Sequence, residues 1–278
     1  RAEVQTFYSP WLVETQFYHN TAVVPLGAFG TIGVSFTALT MDEMMVRTVQ
    51  DPEPSEYGER FDAGNLAIGI AFAKKLTDRF SFGFKTKFIQ ESIWQMSAKG
   101  FAIDIGTLFI TKKDLRIGMS VSNFGGKLGM EGVNTLVDID VDENIYGNND
   151  RIDGSLGTSK WPLPLLFRFG LSREFIFSDK VKCLIAVDAI HPNNNPEYLN
   201  IGMEWSAIDI LFLRIGKSHS FYELKFNDGV DRGPEQGLSF GGGVRYRIPR
   251  GPVLEVNYVL TNFGVFNDIQ GYSISMQF

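Results

Sequence analysis

The sequence has a single cysteine, Cys183, so no disulfide can form within the chain. It has no surplus of positive charge: 26 Lys and Arg stand against 32 Asp and Glu, for a formal net charge of −6. That balance argues against a nucleic-acid partner, whose phosphates select basic faces. No apolar run approaches the roughly 18 residues that a membrane helix requires, and mean hydropathy is near zero. This excludes a helical membrane protein. It does not exclude a barrel, whose alternating strands look bland to a hydropathy window. The front, "RAEVQTFYSPW", carries no start methionine and no leader. The expectation is a chain processed or trimmed there.

What is present is phenylalanine and glycine, 24 and 29 among 278 residues, with 44% hydrophobics. Many stretches alternate strictly, the signature of a strand with two unlike faces. In 80–88, Phe80, Phe82, Phe84 and Phe88 share a face, opposite Ser81, Gly83, Lys85 and Lys87. In 165–172, Leu165, Phe167, Phe169 and Leu171 oppose Arg168, Gly170 and Ser172. The same holds for 101–109, 115–122 and 238–248, where Phe240 faces away from Arg245 and Arg247. The chain ends "GYSISMQF", with Tyr272, Ile274, Met276 and Phe278 on one face.

Strands are predicted to begin near Val4, Phe17, Thr31, Asn65, Phe80, Phe101, Leu115, Leu163, Val181, Tyr198, Ile210, Gln236, Val253 and Ile269. Links after even strands are short ("GAFG", "LTDR", "TKKD", "FSDK", "AIDI", "PRGP"), whereas those after odd strands include 42–62, 125–161 and 219–235. Sorting by parity is how outer-membrane barrels are built, with long loops outside and short turns in the periplasm. The fold expectation is therefore all-β: one antiparallel transmembrane β-barrel of about 14 strands in a single domain, 1–278.

The faces follow from register. Phe82, Phe84, Phe167, Phe169, Phe240 and Met276 are expected on lipid, with Trp205, Tyr246, Phe278 and Trp94 as interfacial aromatics. Lys85, Lys87, Asp104, Arg116, Arg168, Glu204, Arg214, Arg245 and Arg247 are expected in the lumen. They either bind or conduct anions or pair with one another to brace the wall. Cys183, alternating with Val181, Ile185 and Val187, is expected to face lipid. The "GGG" at 241–243 is expected to mark a bend or close packing inside the wall. The C-terminal Tyr272, Ile274, Met276 and Phe278 resemble the signal that outer-membrane insertion machinery reads.

Other motifs are weak. Asp138, Asp140 and Asp142 have the 1-3-5 spacing of a calcium loop, but Glu143 replaces the required glycine and Asn149 stands at the twelfth position. His19, His191 and His219 fall near the upper strand ends, and Asp188 and His191 point to opposite faces, so no enzyme is expected. No cofactor is expected.

Several stretches resemble the PorV/PorQ family of outer-membrane proteins: "FDAGNLAIGIAFAKKLTDRFSFGFKTKFIQESIWQMSAKGFAIDIGTLF" (61–109), "LRIGMSVSNFGGKLGMEG" (115–132), "NNDRIDG" (148–154) and "PLPLLFRFGLS" (162–172). The resemblance implies a relative of the FadL fatty-acid channel in the outer membrane of a Gram-negative-type bacterium. It also implies a non-enzymatic partner or shuttle in type IX secretion, handling cargo with a C-terminal β-sandwich signal. Its partners would be outer-membrane lipid, secreted cargo and secretion-system proteins. The family carries an N-terminal segment in the barrel mouth, and a hatch-like segment is expected to be missing here.

The competing function is a FadL-like channel for a hydrophobic small molecule, with lipid or detergent able to enter the lumen. A lipid path needs a continuous apolar stripe inside. The inward faces are mostly Gly, Ser, Arg and Asp, with only scattered apolar residues such as Leu108, Leu166 and Phe212, which tilts the expectation toward the partner role.

Overall fold

The computed structural model describes residues 1–140, 152–220, 237–266 and 268–278. Its long strands are β1 (Glu3–Pro10), β2 (Thr15–Pro25), β3 (Thr31–Met41), β4 (Ala63–Lys75), β5 (Phe80–Ile93), β6 (Met96–Ile110) and β7 (Leu115–Gly125). They continue as β8 (Leu166–Ser178), β9 (Val181–Pro192), β10 (Tyr198–Ala207), β11 (Leu211–Ser220), β12 (Leu238–Arg247), β13 (Val253–Asn262) and β14 (Asp268–Gln277). Each pairs antiparallel with its sequence neighbours, and β1 pairs with β14 from Glu3↔Gln277 to Tyr8↔Tyr272. The result is a closed 14-strand all-β barrel. Closure matters because an open edge of this length would expose a row of unpaired backbone groups.

Loop lengths sort by end. The links 26–30, 76–79, 111–114, 179–180, 208–210 and 248–252 are all tight, and 42–62 and 126–165 lie at the other end. Tightness overrides residue preference in places. Ile208 and Asp209 both take left-handed backbone, φ 52° and 54°, although a β-branched residue disfavours it.

Two predicted strand starts shift. β6 begins at Met96 rather than Phe101, because a two-residue turn after Ile93 with Trp94 at φ 51° runs the hairpin to its tip. β8 begins at Leu166 rather than Leu163, because Pro162 and Pro164 lack the donors a ladder needs, and Leu163 turns inward instead. The start expected at Gln236, the loop segment 221–235 and the calcium positions Asp142, Glu143 and Asn149 lie outside the described residues. Asp138 itself is in an extended pair with Asp153, not in a cation loop. Among the described residues no cluster of metal-binding side chains exists.

Register fixes the faces all the way round. Arg214 pairs with Glu204 and Gly241, Gly241 with Val259, Val259 with Gly271, and Phe7 with both Ser273 and His19. His19 leads through Thr37 and Ala67 to Ile89, and Lys85 pairs with Asp104. Directly opposed residues share a face, so all of these point inward.

The only sizeable buried cluster among the described residues is at the long-loop end. There Leu128 and Leu163, from the loop between β7 and β8, pack on Ala98 and Ala102 of β6, with Ile89, Met130 and Trp161 around them. This loop is a strap. Lys127–Leu128 pairs with Trp161–Pro162, and Glu131–Gly132 adds to the end of β6. Gly100 makes room for it: a Cβ there would lie 2.5 Å from Leu128 Cδ2. Among the described residues the strap packs over β6 and the neighbouring Ile89 of β5.

Candidate functional site

The lumen is the candidate site, and two of its cavities are bordered by charged side chains. The first, about 570 Å³, is lined by Gln5, Phe7, Leu184, Glu204, Arg214, Glu255, Asn257, Val259, Gly271 and Ser273 among others. The second, about 600 Å³, is lined by Lys85, Asp104, Arg168 and Asp188 over a floor of Gly83, Gly106, Gly118 and Gly170. Both volumes fall in the range of small-molecule sites.

A charged network closes one side of the first cavity. Arg214 Nε donates to Glu204 Oε2 at 2.5 Å and Nη1 donates to Asn257 Oδ1 at 2.6 Å. Its Nη2 lies 3.7 Å from Glu255 Oε1. Arg245 grips Glu255 Oε2 with Nε and Nη2, both at 2.8 Å. Both guanidinium groups lie against the ring of Phe212, at 5.5 and 4.5 Å from its centre. Asn257 Nδ2 donates onward to Glu255 and to Ser273 Oγ. The glycines explain the room available. A side chain at Gly243 would strike Asn257, and one at Gly241 would meet Arg214 Cβ at 3.4 Å. Gly241 and Gly243 therefore serve close packing inside the wall, one of the two roles expected from the sequence.

Lys87 pairs with Asp104 at 2.7 Å. All nine predicted lumen residues have inward register: Lys85, Lys87, Asp104, Arg116, Arg168, Glu204, Arg214, Arg245 and Arg247. The structure gathers Glu204, Arg214 and Arg245 in one network, and Lys85, Asp104 and Arg168 around one cavity. Arg116 and Arg247, at the short-turn ends of β7 and β12, join neither. On the other face Phe82, Phe84, Phe167 and Phe240 are exposed, as are Tyr272, Ile274 and Phe278. Phe169 and Met276 share that outward register, half-buried among their neighbours. Cys183 also has outward register, but it is only 4% exposed, set between Phe175 and Trp205 on the flanking strands. It is a covered thiol rather than a bare one.

The sequence reading missed the apolar side of the lumen. Trp11, in the turn after β1, meets Phe17 with ring centres 6.1 Å apart and Phe263 at 5.5 Å. Phe17 meets Phe7 edge-on at 6.0 Å. Phe7 then rests in the space left by Gly271, whose Cβ would lie 2.8 Å from the Phe7 ring and from Val259. The aromatic run starts in the turn after β1, at the long-loop end, and ends in the first cavity. Leu39 flanks Phe17 on the inner wall, and Ile269 is an apolar residue on the inward face of β14. The interior is therefore not a polar surface with scattered apolar residues, as expected, but has one aromatic side and one charged side.

The folds of known barrels match this one. The chain superposes on the toluene transporter TbuX of Ralstonia pickettii with a TM-score of 0.54 at 11% identity, covering 99% of this chain and 87% of that one. The toluene transporter TodX of Pseudomonas putida gives 0.55 at 10%, with the same coverage. A FadL homologue of Pseudomonas aeruginosa gives 0.50 at 9%, covering 100% and 89%. At these identities the likeness is one of fold. No family model and no curated protein matches the chain.

Proposed function

We propose that the protein is a channel of a bacterial outer membrane that passes a small hydrophobic molecule, about the size of one aromatic ring, from the outer mouth toward the periplasm. The observation that carries this reading is the run Trp11–Phe17–Phe7 leading to the first cavity. Rings in edge-on and tilted contact offer apolar surface at successive steps with little reorganisation. The charged network beyond them gives a hydrocarbon nothing to bind, which favours release. Two of the fold neighbours carry toluene by name, and toluene is the natural first probe. The outward Phe82, Phe84, Phe167, Phe169, Phe240 and Met276 then contact lipid, with Trp205, Tyr246 and Phe278 at one interface.

The test is uptake of labelled toluene by intact cells with a lipopolysaccharide outer leaflet, since that polar layer, unlike a phospholipid bilayer, excludes hydrocarbons. Gly271→Leu puts a side chain against Phe7 and should cut uptake several-fold. Uptake equal to that of cells lacking the barrel, for the parent protein, would sink the channel reading.

A second reading, the partner role in type IX secretion, is supported by the arm at 42–62. Val49 and Tyr57 there are 96% and 95% exposed, among Asp51, Glu53, Glu56 and Glu59. If that reading is right, deleting residues 47–58 abolishes recovery of secreted proteins with a C-terminal β-sandwich signal and leaves toluene uptake intact.

A further inference from the structure

The β6–β7 ladder breaks at one place. Ile103 pairs with Phe124 and Ile105 with Val121, so Ser122 and Asn123 together oppose Asp104. Such a bulge re-aims a side chain at a chosen point. Asn123 sits at φ 63°, a conformation that asparagine tolerates better than most residues. Its backbone N–H, freed from the ladder, donates to Asp104 Oδ1 at 2.8 Å. Its side-chain Oδ1 accepts from Lys87 Nζ, which also reaches Asp104 at 2.7 Å. Its Nδ2 donates to the carbonyl of Pro164 at 2.9 Å. Pro164 is the root of the strap, next to Leu163, which packs with Leu128 on Ala98 and Ala102. One residue thus ties a lumen ion pair to the loop that packs over the inner face of β6.

We propose that Lys87, Asp104 and Asn123 form a latch that holds the strap down, and that disturbing Asp104 in the lumen frees the strap to lift. The position of Asp104 is what makes this a latch rather than a simple brace. Its carboxylate borders the second cavity together with Lys85 and Arg168, so a guest in that cavity meets the group that fixes Asn123. Lys85 has no ion pair among the described residues and stands next to Asp104 across the strand pair, ready to compete for it. The strap has further ties that do not reach the lumen ion pair. Asn193 Nδ2 donates to the carbonyl of Leu163 at 3.2 Å, and Thr158 donates within the strap to Met130. The latch does not depend on what the channel carries, because ion flow and strap exposure report on it without any substrate.

The experiment uses Asn123→Gly, which keeps the backbone conformation and removes the side chain, and Asp104→Asn. Both are reconstituted in planar bilayers and, separately, digested with trypsin, whose sites Lys127 and Lys160 lie on the strap. The expected result is a several-fold rise in single-barrel conductance and in cleavage at those lysines, with Ser122→Ala unchanged. A disulfide between Gly100→Cys and Leu128→Cys, in a Cys183→Ala background, should return Asn123→Gly to parent conductance. Parent-like conductance and cleavage in Asn123→Gly would overturn the latch. So would raised conductance that persists with the strap cross-linked. If Asp104→Asn fails to fold, as judged by heat-modifiable gel mobility, Asn123→Gly alone decides the question.

Discussion

Glu255 holds Arg245 through a single carboxylate oxygen, Oε2, reached by Nε and Nη2 at 2.8 Å each. The other oxygen accepts from Asn257 and faces Arg214 at 3.7 Å. Glu255 is thus the anion shared by two cations on neighbouring strands. Its side chain is only 16% exposed, so water replaces it poorly.

Replacing Glu255 by Gln should therefore destabilise the barrel by about 1–3 kcal/mol, the cost of leaving charged hydrogen-bonding groups without their partner. Denaturant unfolding in detergent micelles measures it. A variant as stable as the parent would mean that the two arginines are held by Phe212 and Glu204 alone.

The faces can be checked one residue apart. Single cysteines at positions 84 and 85, in a Cys183→Ala background, should differ sharply toward a membrane-impermeant thiol reagent. Position 85 has the inward register of Asp104 and should label, whereas position 84, with the outward register of Ile105, should not. A one-residue slip of register would reverse the result.

Charge placed on each face gives an energetic version of the same test. Phe240→Arg, on the outward face, should cost about 2–4 kcal/mol, the midplane penalty for arginine on lipid. Ser239→Arg enters the first cavity and should cost below about 1 kcal/mol. Equal costs, read from refolding into lipid vesicles, would contradict the assignment of the outward face to lipid.

At the short-turn end, Lys182 Nζ donates to Asp209 Oδ1 at 2.9 Å. That hydrogen bond, and then the lysine charge, hold the Asp209 carboxyl below its ordinary 3.8. A depressed carboxyl stabilises the fold at pH above its unfolded value and loses that contribution as pH falls through the folded value. The parent should therefore melt slightly above Asp209→Asn at neutral pH, with the gap shrinking below pH 3.8. A gap that widened in acid would show the opposite linkage.

Most of the architecture was legible because a barrel wall gives every strand two unlike faces. β5 writes this plainly, with Phe82 and Phe84 against Gly83, Lys85 and Lys87. β1 does not. Phe7 and Tyr8 are adjacent aromatics, one inward and one outward, so alternation within "EVQTFYSP" cannot say which ring lines the lumen. Only its pairing with β14 and β2 decides, and that information is not local. The strap was hidden for a related reason. Leu128 and Leu163 are isolated apolar residues in Gly- and Pro-rich stretches, without any period. The one local hint was Gly100, a missing side chain on the inner face of β6 opposite Ile89. The bulge at Asn123 left no sequence mark apart from an asparagine between Ser122 and Phe124.

The seam between β1 and β14 sets the order in which this barrel can be completed. Ser9 Oγ donates to the carbonyl of Gln270 at 2.6 Å, a contact spanning 261 residues of sequence. The other long strands pair with their neighbours in sequence, at far shorter chain separations. The seam does not, and its second strand is the last of the fourteen to emerge. Until β14 arrives, β1 and β13 remain as two bare edges, each able to recruit a foreign strand. The last step is thus the slowest to find and the most exposed to error, since long-range closure carries the largest entropic cost.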